Sequence, residues 1–249
     1  MTDWRSPAGY HPAQAADGPP PPKERTPEEE ATHRAKMTAF ARWIWSETKP
    51  AAGTLAEVYL YSRLLTMRPP QSLRLHHALR YDELGSLPAI IGKVEHIDHG
   101  HTAVHCTWLH PDHTSGIPHR GARKTFGPTG GGAVRFGWPK PTQWLVVAEG
   151  IETTLALVLA TGRPGWAALS ARGIIGLKLP PDARQVLIGV DRDYDGQKAS
   201  RIATKRWLAD GRRVRPVRPP RLGTDWNDVL TGRAPAMGSE CTTTIFAMR

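Results

Sequence analysis

From residue 144 to residue 217 one pattern repeats: a short, continuous apolar run, a helical stretch, then another apolar run. WLVVAEG (144–150) leads into IETTLALVLATG. AALS (167–170) and VLIGVD (186–191) follow, then the helical GQKASRIATKRWLADG and the strand-like RVRPVRP. Strands that are apolar at every position, rather than at every second one, are buried on both faces. Parallel strands also need long crossovers between them, usually helices. The alternation therefore predicts a parallel α/β sheet flanked by helices on both sides.

In such sheets ligands bind beyond the carboxyl ends of the strands. Two strands here end on acids: WLVVA runs into Glu149-Gly150, and VLIGV into Asp191-Arg192-Asp193-Tyr194-Asp195-Gly196. A third acidic group, Asp225-Trp226-Asn227-Asp228, follows the fourth strand. Acids leaving neighbouring strands at one edge repel one another and need a compensating cation. Oxygen-only ligands suit magnesium or manganese rather than zinc. Taken singly, each acid has a plainer explanation: Glu152 and Asp195 sit where a first-turn acid favours a helix dipole, and Asn227 with Asp228 could cap the short DVLTG helix.

Upstream, the period is different. Thr26, Pro27 and Glu29 read as a capping box with proline in the first turn, followed by Met37, Phe40, Ala41, Ile44 and Trp45 at helical spacing. Thr54 and Glu57 read as a second capping box. From about residue 71 the period becomes two, with strands expected over 73–77, 88–97 and 102–109. Asp98-His99-Gly100 supplies a turn, so the last two strands are expected to form a hairpin. A basic loop over 121–137 carries Gly130, Gly131 and Gly132 in succession. Residues 1–25, with Pro19 to Pro22 consecutive, are too polar to offset their ordering entropy and are expected to be disordered. The expected organisation is a tail (1–25), a basic α+β subdomain with a β-hairpin (26–140), the parallel α/β unit (141–233) and a C-terminal tail (234–249).

Composition narrows the partners. Lys and Arg outnumber Asp and Glu by 33 to 23, a formal net charge of +10, which favours a polyanion. Cys106 and Cys241 are the only cysteines, which excludes a disulfide framework and a four-cysteine zinc ribbon. No apolar run approaches a membrane span and no signal-peptide core is present, so a cytoplasmic protein is expected. His96, His99, His101, His105, His110, His113 and His119 crowd the hairpin region; without cysteine partners they read as surface histidines rather than a zinc site.

The EG at a strand end, the DxD about forty residues later and the trailing DxND resemble the Toprim domain, which bacterial primases, type IA and II topoisomerases and some nucleases share. EGIETTLAL, DRDYDG and GTDWNDVL look closest to the Toprim (Rossmann-like) domains of primases carried by phages, plasmids and other mobile elements. The hairpin PAIIGKVEHIDHGHTAVHCTWL and the loop RKTFGPTGGGAVRFG look like the basic subdomain that precedes Toprim in bacterial primases. The sequence departs from replicative primases in two places: their second acid, four residues after the Glu, is Thr153 here, with Glu152 one place earlier, and Asn227 replaces an acid of the trailing motif. There is also no zinc module and no GxxxxGK[ST] phosphate loop of a helicase.

The resemblance implies a DNA primase-like nucleotidyltransferase that makes short RNA primers on single-stranded DNA from nucleoside triphosphates. Its catalytic set would be Glu149, Asp191 and Asp193. Magnesium or manganese ligands would come from these with Asp195, Asp225 and Asp228. Arg123, Lys124, Arg135, Ser170, Arg172 and Asn227 are the candidates for contacts with nucleotide or nucleic acid. A replicative helicase or zinc-module protein on a separate chain would be a further partner, and no membrane is implied. The other readings are a Toprim nuclease using the same ions, and a non-catalytic accessory subunit that binds nucleic acid.

Overall fold

The computed structural model describes residues 25–81, 85–110, 122–191, 193–219, 226 and 229. Residues 1–24 of the expected N-terminal tail and all of the expected C-terminal tail lie outside the described residues. The first helix, α1 (Pro27–Ser46), starts with the predicted capping box: the Thr26 hydroxyl accepts from the Glu29 N–H at 3.2 Å, and the Glu29 carboxylate accepts from the Thr26 N–H at 2.8 Å. Its stripe buries Ala41 and Ile44, while Phe40 and Trp43 remain exposed and stack on each other. A two-residue strand, β1 (Lys49–Pro50), precedes α2 (Leu55–Ser62). Thr54 caps α2 through the Ala56 N–H. The expected box does not close there, because the Glu57 carboxylate accepts from the Gly53 N–H and the Tyr61 hydroxyl instead.

Strands β2 (Leu73–Tyr81), β3 (Gly85–His96) and β4 (Gly100–Trp108) are antiparallel, and β3 and β4 form the predicted hairpin. The glycine stretch is not a single loop. It contains β5 (Arg123–Phe126), paired with β4, and β6 (Ala133–Phe136), paired with β3. The backbone found partners that a glycine-rich composition does not announce. Then come β7 (Trp144–Ala148), α3 (Ile151–Thr161), β8 (Gly165–Ala167), α4 (Ala171–Gly176), β9 (Gln185–Gly189), α5 (Tyr194–Ala209) and β10 (Arg213–Val217). The second strand of this series begins at Gly165, earlier than its sequence suggests, and Ser170 opens the unanticipated α4.

Within this half, β8, β7, β9 and β10 are adjacent and parallel, as predicted. Among the described residues the two halves share one mixed, 10-stranded sheet, because β6 pairs antiparallel with β8 on one side and with β3 on the other. Strand alternation sorts the core by face. Leu73, Ile90, Val134, Val146 and Leu187 meet α2 and α3, whereas Leu145, Val147, Trp166 and Ile188 meet α4 and α5. Ile91, Val104 and Trp108 pack under α1.

Helix α3 lies close to the sheet because three strands present glycine beneath it. A Cβ on Gly165 would overlap Val158 Cγ2 and lie 2.9 Å from Thr154 Cγ2. One on Gly189 would overlap Leu157 Cδ1, and one on Gly92 would lie 3.1 Å from Ile151 Cδ1. Among the described residues no helix is long and apolar enough to cross a membrane.

Candidate functional site

β7 and β9 run side by side with Ala148 opposite Gly189. Glu149 leaves the end of β7 and Asp191 leaves just beyond β9, so both carboxylates reach the same edge of the sheet. The Glu149 carbonyl accepts from the Leu169 N–H at 2.8 Å, which ties the end of β7 to the end of β8. Glu149 and Asp191 line one cavity of about 270 Å³. Burial raises the pKa of Glu149 above the usual carboxylate range, and the charges of Asp191, Asp193 and Asp195 raise it further, against a lowering by the Ala171 N–H. The neighbouring acids thus destabilise the ionised form of Glu149.

Asp193 has a second task. It caps α5, its Oδ1 accepting from the Gly196 N–H at 2.6 Å. A Cβ on Gly196 would sit 2.8 Å from the Asp191 carbonyl oxygen, so only glycine permits the turn that holds Asp191 and Asp193 together. Asp195 is exposed in the first turn of α5. Asp225, Asn227 and Asp228 lie outside the described residues, although Trp226 between them is buried in the core.

A divalent cation fits this edge by donor chemistry. All the donors are carboxylate oxygens, and their mutual repulsion is visible in Glu149. Among the described residues no group of three or more His, Cys, Asp or Glu side chains closes into a ready-made cage. Magnesium does not need one, since it binds through one or two carboxylates and keeps several waters. Glu149 and Asp191 meet that requirement.

The first half of the chain also lines the cavity: Arg63 from the end of α2, His105 from β4 and Arg123 from β5. Arg123 Nη2 donates to Glu152 Oε1 at 2.8 Å, and the Tyr59 hydroxyl donates to the same oxygen at 2.7 Å. Burial alone would raise the Glu152 pKa, but Arg123 and the Tyr59 hydrogen bond outweigh it and hold the carboxylate below its usual range. Burial lowers the pKa of His105 to about 4; Glu152 opposes this and Arg123 adds to it. His105 is thus neutral at pH 7, with Nδ1 3.1 Å from Thr125 Oγ1.

The structure separates the predicted basic contacts. Arg123 reaches the cavity. Lys124, one residue on, points to the other face of the sheet, its Nζ 5.9 Å from the Tyr81 ring centre. Arg135 lies over both Trp166 and Trp138, at 4.5 and 5.3 Å from their ring centres, and donates to the Glu95 carbonyl. It lines a different cavity, with Lys93 and Trp138. Ser170 accepts from the Gly173 N–H at 2.9 Å as the cap of α4, and Arg172 is exposed in the first turn of that helix.

The histidines also depart from expectation. His96 is buried and stacks on His99, and His101 and His105 are half-buried rather than on the surface. His113 and His119 lie outside the described residues. Sequence reasoning did not select Tyr59, Arg63 or His105. Two signals were available: Tyr59 and Arg63 are spaced one helical turn apart, and strand alternation sets His105 opposite in direction to buried Cys106.

Residues 144–236 match the family model of the Toprim domain, and residues 35–136 match a model described as a domain of unknown function (DUF7146). No curated protein matches the chain. Among solved structures, the zinc-binding and RNA polymerase domains of the Aquifex aeolicus primase are similar over 90% of this chain and 61% of that one, at 14% identity and a TM-score of 0.53. The chain thus spans less than two thirds of that structure's length. A DnaG primase catalytic domain bound to ssDNA is similar over 89% of this chain and 82% of that one, at 15% identity and a TM-score of 0.49. The chain carries a Toprim domain on a primase-like fold.

Proposed function

We propose that this Toprim-containing chain is a metal-dependent nucleotidyltransferase of the DNA primase type, synthesising short RNA primers on single-stranded DNA. The observation that carries the reading is a single cavity lined both by acids, Glu149 and Asp191 at neighbouring strand ends, and by the cations Arg63 and Arg123. An acidic lining alone repels nucleotides and a basic lining alone binds any anion. Together they suit a metal-complexed triphosphate. The Toprim match and the primase-like fold support the same reading.

Magnesium or manganese held by Glu149, Asp191 and the remaining oxygen of Asp193 would supply charge neutralisation at the attacking and leaving oxygens. The protein's own part is positioning. Glu149 is fixed through its backbone to β8, and the Gly196 turn fixes Asp191 relative to Asp193. Arg123 and Arg63 offer positive charge to phosphate oxygens, and neutral His105 adds no competing charge. The excess of basic residues serves a nucleic-acid template, and the site of action is the cytoplasm. A helicase or zinc-module protein on a separate chain would supply template selection.

The test is to incubate the purified chain with single-stranded DNA, labelled ribonucleotides and magnesium or manganese. Short labelled polymer, lost in Glu149→Gln, supports the proposal. Degraded template without new polymer indicates a Toprim nuclease, and metal-independent binding without either product indicates an accessory subunit.

A further inference from the structure

We propose that Glu152 is a positioning residue that, together with Tyr59, holds the Arg123 guanidinium in place to grip a phosphate group in the cavity shared with Glu149 and Asp191. The inference rests on the nucleotidyl-transfer reading above and adds a role for residues on three separate elements: α2, β5 and α3.

The burial of the pair is unequal. The Glu152 side chain is 14% exposed and that of Arg123 53% exposed. A surface ion pair would leave both ends wet, and a buried one would enclose both. Here the acid is largely enclosed while the arginine stays accessible, and both line the cavity. Oε1 of Glu152 already accepts two hydrogen bonds, from Tyr59 at 2.7 Å and from Arg123 at 2.8 Å. That oxygen is engaged with donors, which sets Glu152 apart from the metal-facing acids although it lies only three residues beyond Glu149.

Stability alone does not account for the arrangement. A buried carboxylate in an ion pair is commonly no more stabilising than apolar side chains of similar volume. Arg has two guanidinium edges, and a carboxylate beneath one fixes the direction of the rest, so less rotamer freedom is lost when an anion binds. Tyr59 adds a second restraint from α2, whose next turn carries Arg63 over the Tyr59 ring at 6.0 Å. His105, from β4, is a further ionisable neighbour. It is neutral at pH 7 and leaves Arg123 as the cation that Glu152 orients.

The test uses the full-length chain, inorganic tripolyphosphate as the probe and Mn2+ as the ion, with binding measured by titration calorimetry. Glu152→Gln is expected to weaken tripolyphosphate binding in the presence of Mn2+ by about ten-fold, and Arg123→Ala by a similar factor. The decisive comparison is the double variant: if Glu152 acts through Arg123, adding Glu152→Gln to Arg123→Ala causes no further loss. Binding of Mn2+ alone stays unchanged in both single variants. Tyr59→Phe keeps the ring and the ion pair, and is expected to weaken tripolyphosphate binding by about three-fold in the wild-type background and not at all in Arg123→Ala. It carries the test on its own if Glu152→Gln does not fold. Additive losses overturn the positioning role, and weaker binding of Mn2+ alone by Glu152→Gln makes Glu152 a metal ligand instead. A wild-type chain that binds neither Mn2+ nor tripolyphosphate overturns the nucleotidyl-transfer reading itself.

Discussion

Gly165→Ala tests whether the site depends on how closely α3 approaches the sheet. The added Cβ would overlap Val158 Cγ2 and approach Thr154 Cγ2 to 2.9 Å. Both neighbours are β-branched and have one or two usable rotamers in a helix. Thr154 is further locked by its hydroxyl, which donates to the Gly150 carbonyl at 2.7 Å. Neither side chain can swing away, so α3 itself must shift. Overpacking of this kind costs about 1–3 kcal/mol. Replacing glycine by alanine returns about 0.4–1 kcal/mol through the unfolded chain, leaving a net loss of about 1–2 kcal/mol. In a domain of this size each kcal/mol lowers the melting midpoint by about 2–4 °C. Gly189→Ala is the control, because its clash is with the far end of the flexible Leu157 side chain and should cost less. Urea and thermal unfolding of both variants measure the difference, and Val158→Ala should restore part of the loss in Gly165→Ala. The N-terminus of α3 follows directly on Glu149, so Gly165→Ala should weaken Mn2+ binding as well. A Gly165→Ala protein as stable as wild type, or less affected than Gly189→Ala, would refute the close-packing argument.

Two further perturbations follow from the charges. The folded-state pKa of Glu149 is raised, so its ionised form costs stability, and that cost sets in as pH rises past its ordinary value of 4.5. Glu149→Gln should therefore be more stable than wild type at pH 7 without divalent ions, and the gain should vanish in acid; thermal melts at both pH values check this. His105 has the opposite sign. Its folded pKa is lowered from 6.5 to about 4, so it stabilises the fold while neutral and that contribution is lost as pH falls from 6.5 towards 4. The loss amounts to at most about 3 kcal/mol, and His105→Gln should flatten the acid side of a stability–pH profile measured by urea unfolding.

Much of the second half was legible because its signals are local. The continuous apolar runs of β7 and β9 mark strands buried on both faces, and the acids that end them mark the edge proposed to hold the metal. The first half was harder. β5 and β6 are short and flank glycines, so their pairing with β4 and β3 depends on long-range partners that periodicity does not reveal. The same limit hid the partners of the one basic residue, Arg123, that the sequence does pick out here. Tyr59, His105 and Arg123 come from separate elements, and only the folded chain brings them to Glu152. Glu152 itself looked like a first-turn acid favouring the helix dipole, a reading that fits its position in α3 but not its partners. For Arg135 the basic, glycine-rich stretch suggested phosphate and gave no sign of the Trp138 and Trp166 rings beside its guanidinium.

The central claim is that Glu149 and Asp191 hold a divalent cation between them. Its most direct test is a Mn2+ titration followed by electron paramagnetic resonance, comparing wild type with the Glu149→Gln/Asp191→Asn double variant. The account predicts that wild type removes free Mn2+ signal at a saturable site, and that the double variant loses this site while melting at no lower temperature. A double variant that binds Mn2+ as wild type does would contradict it.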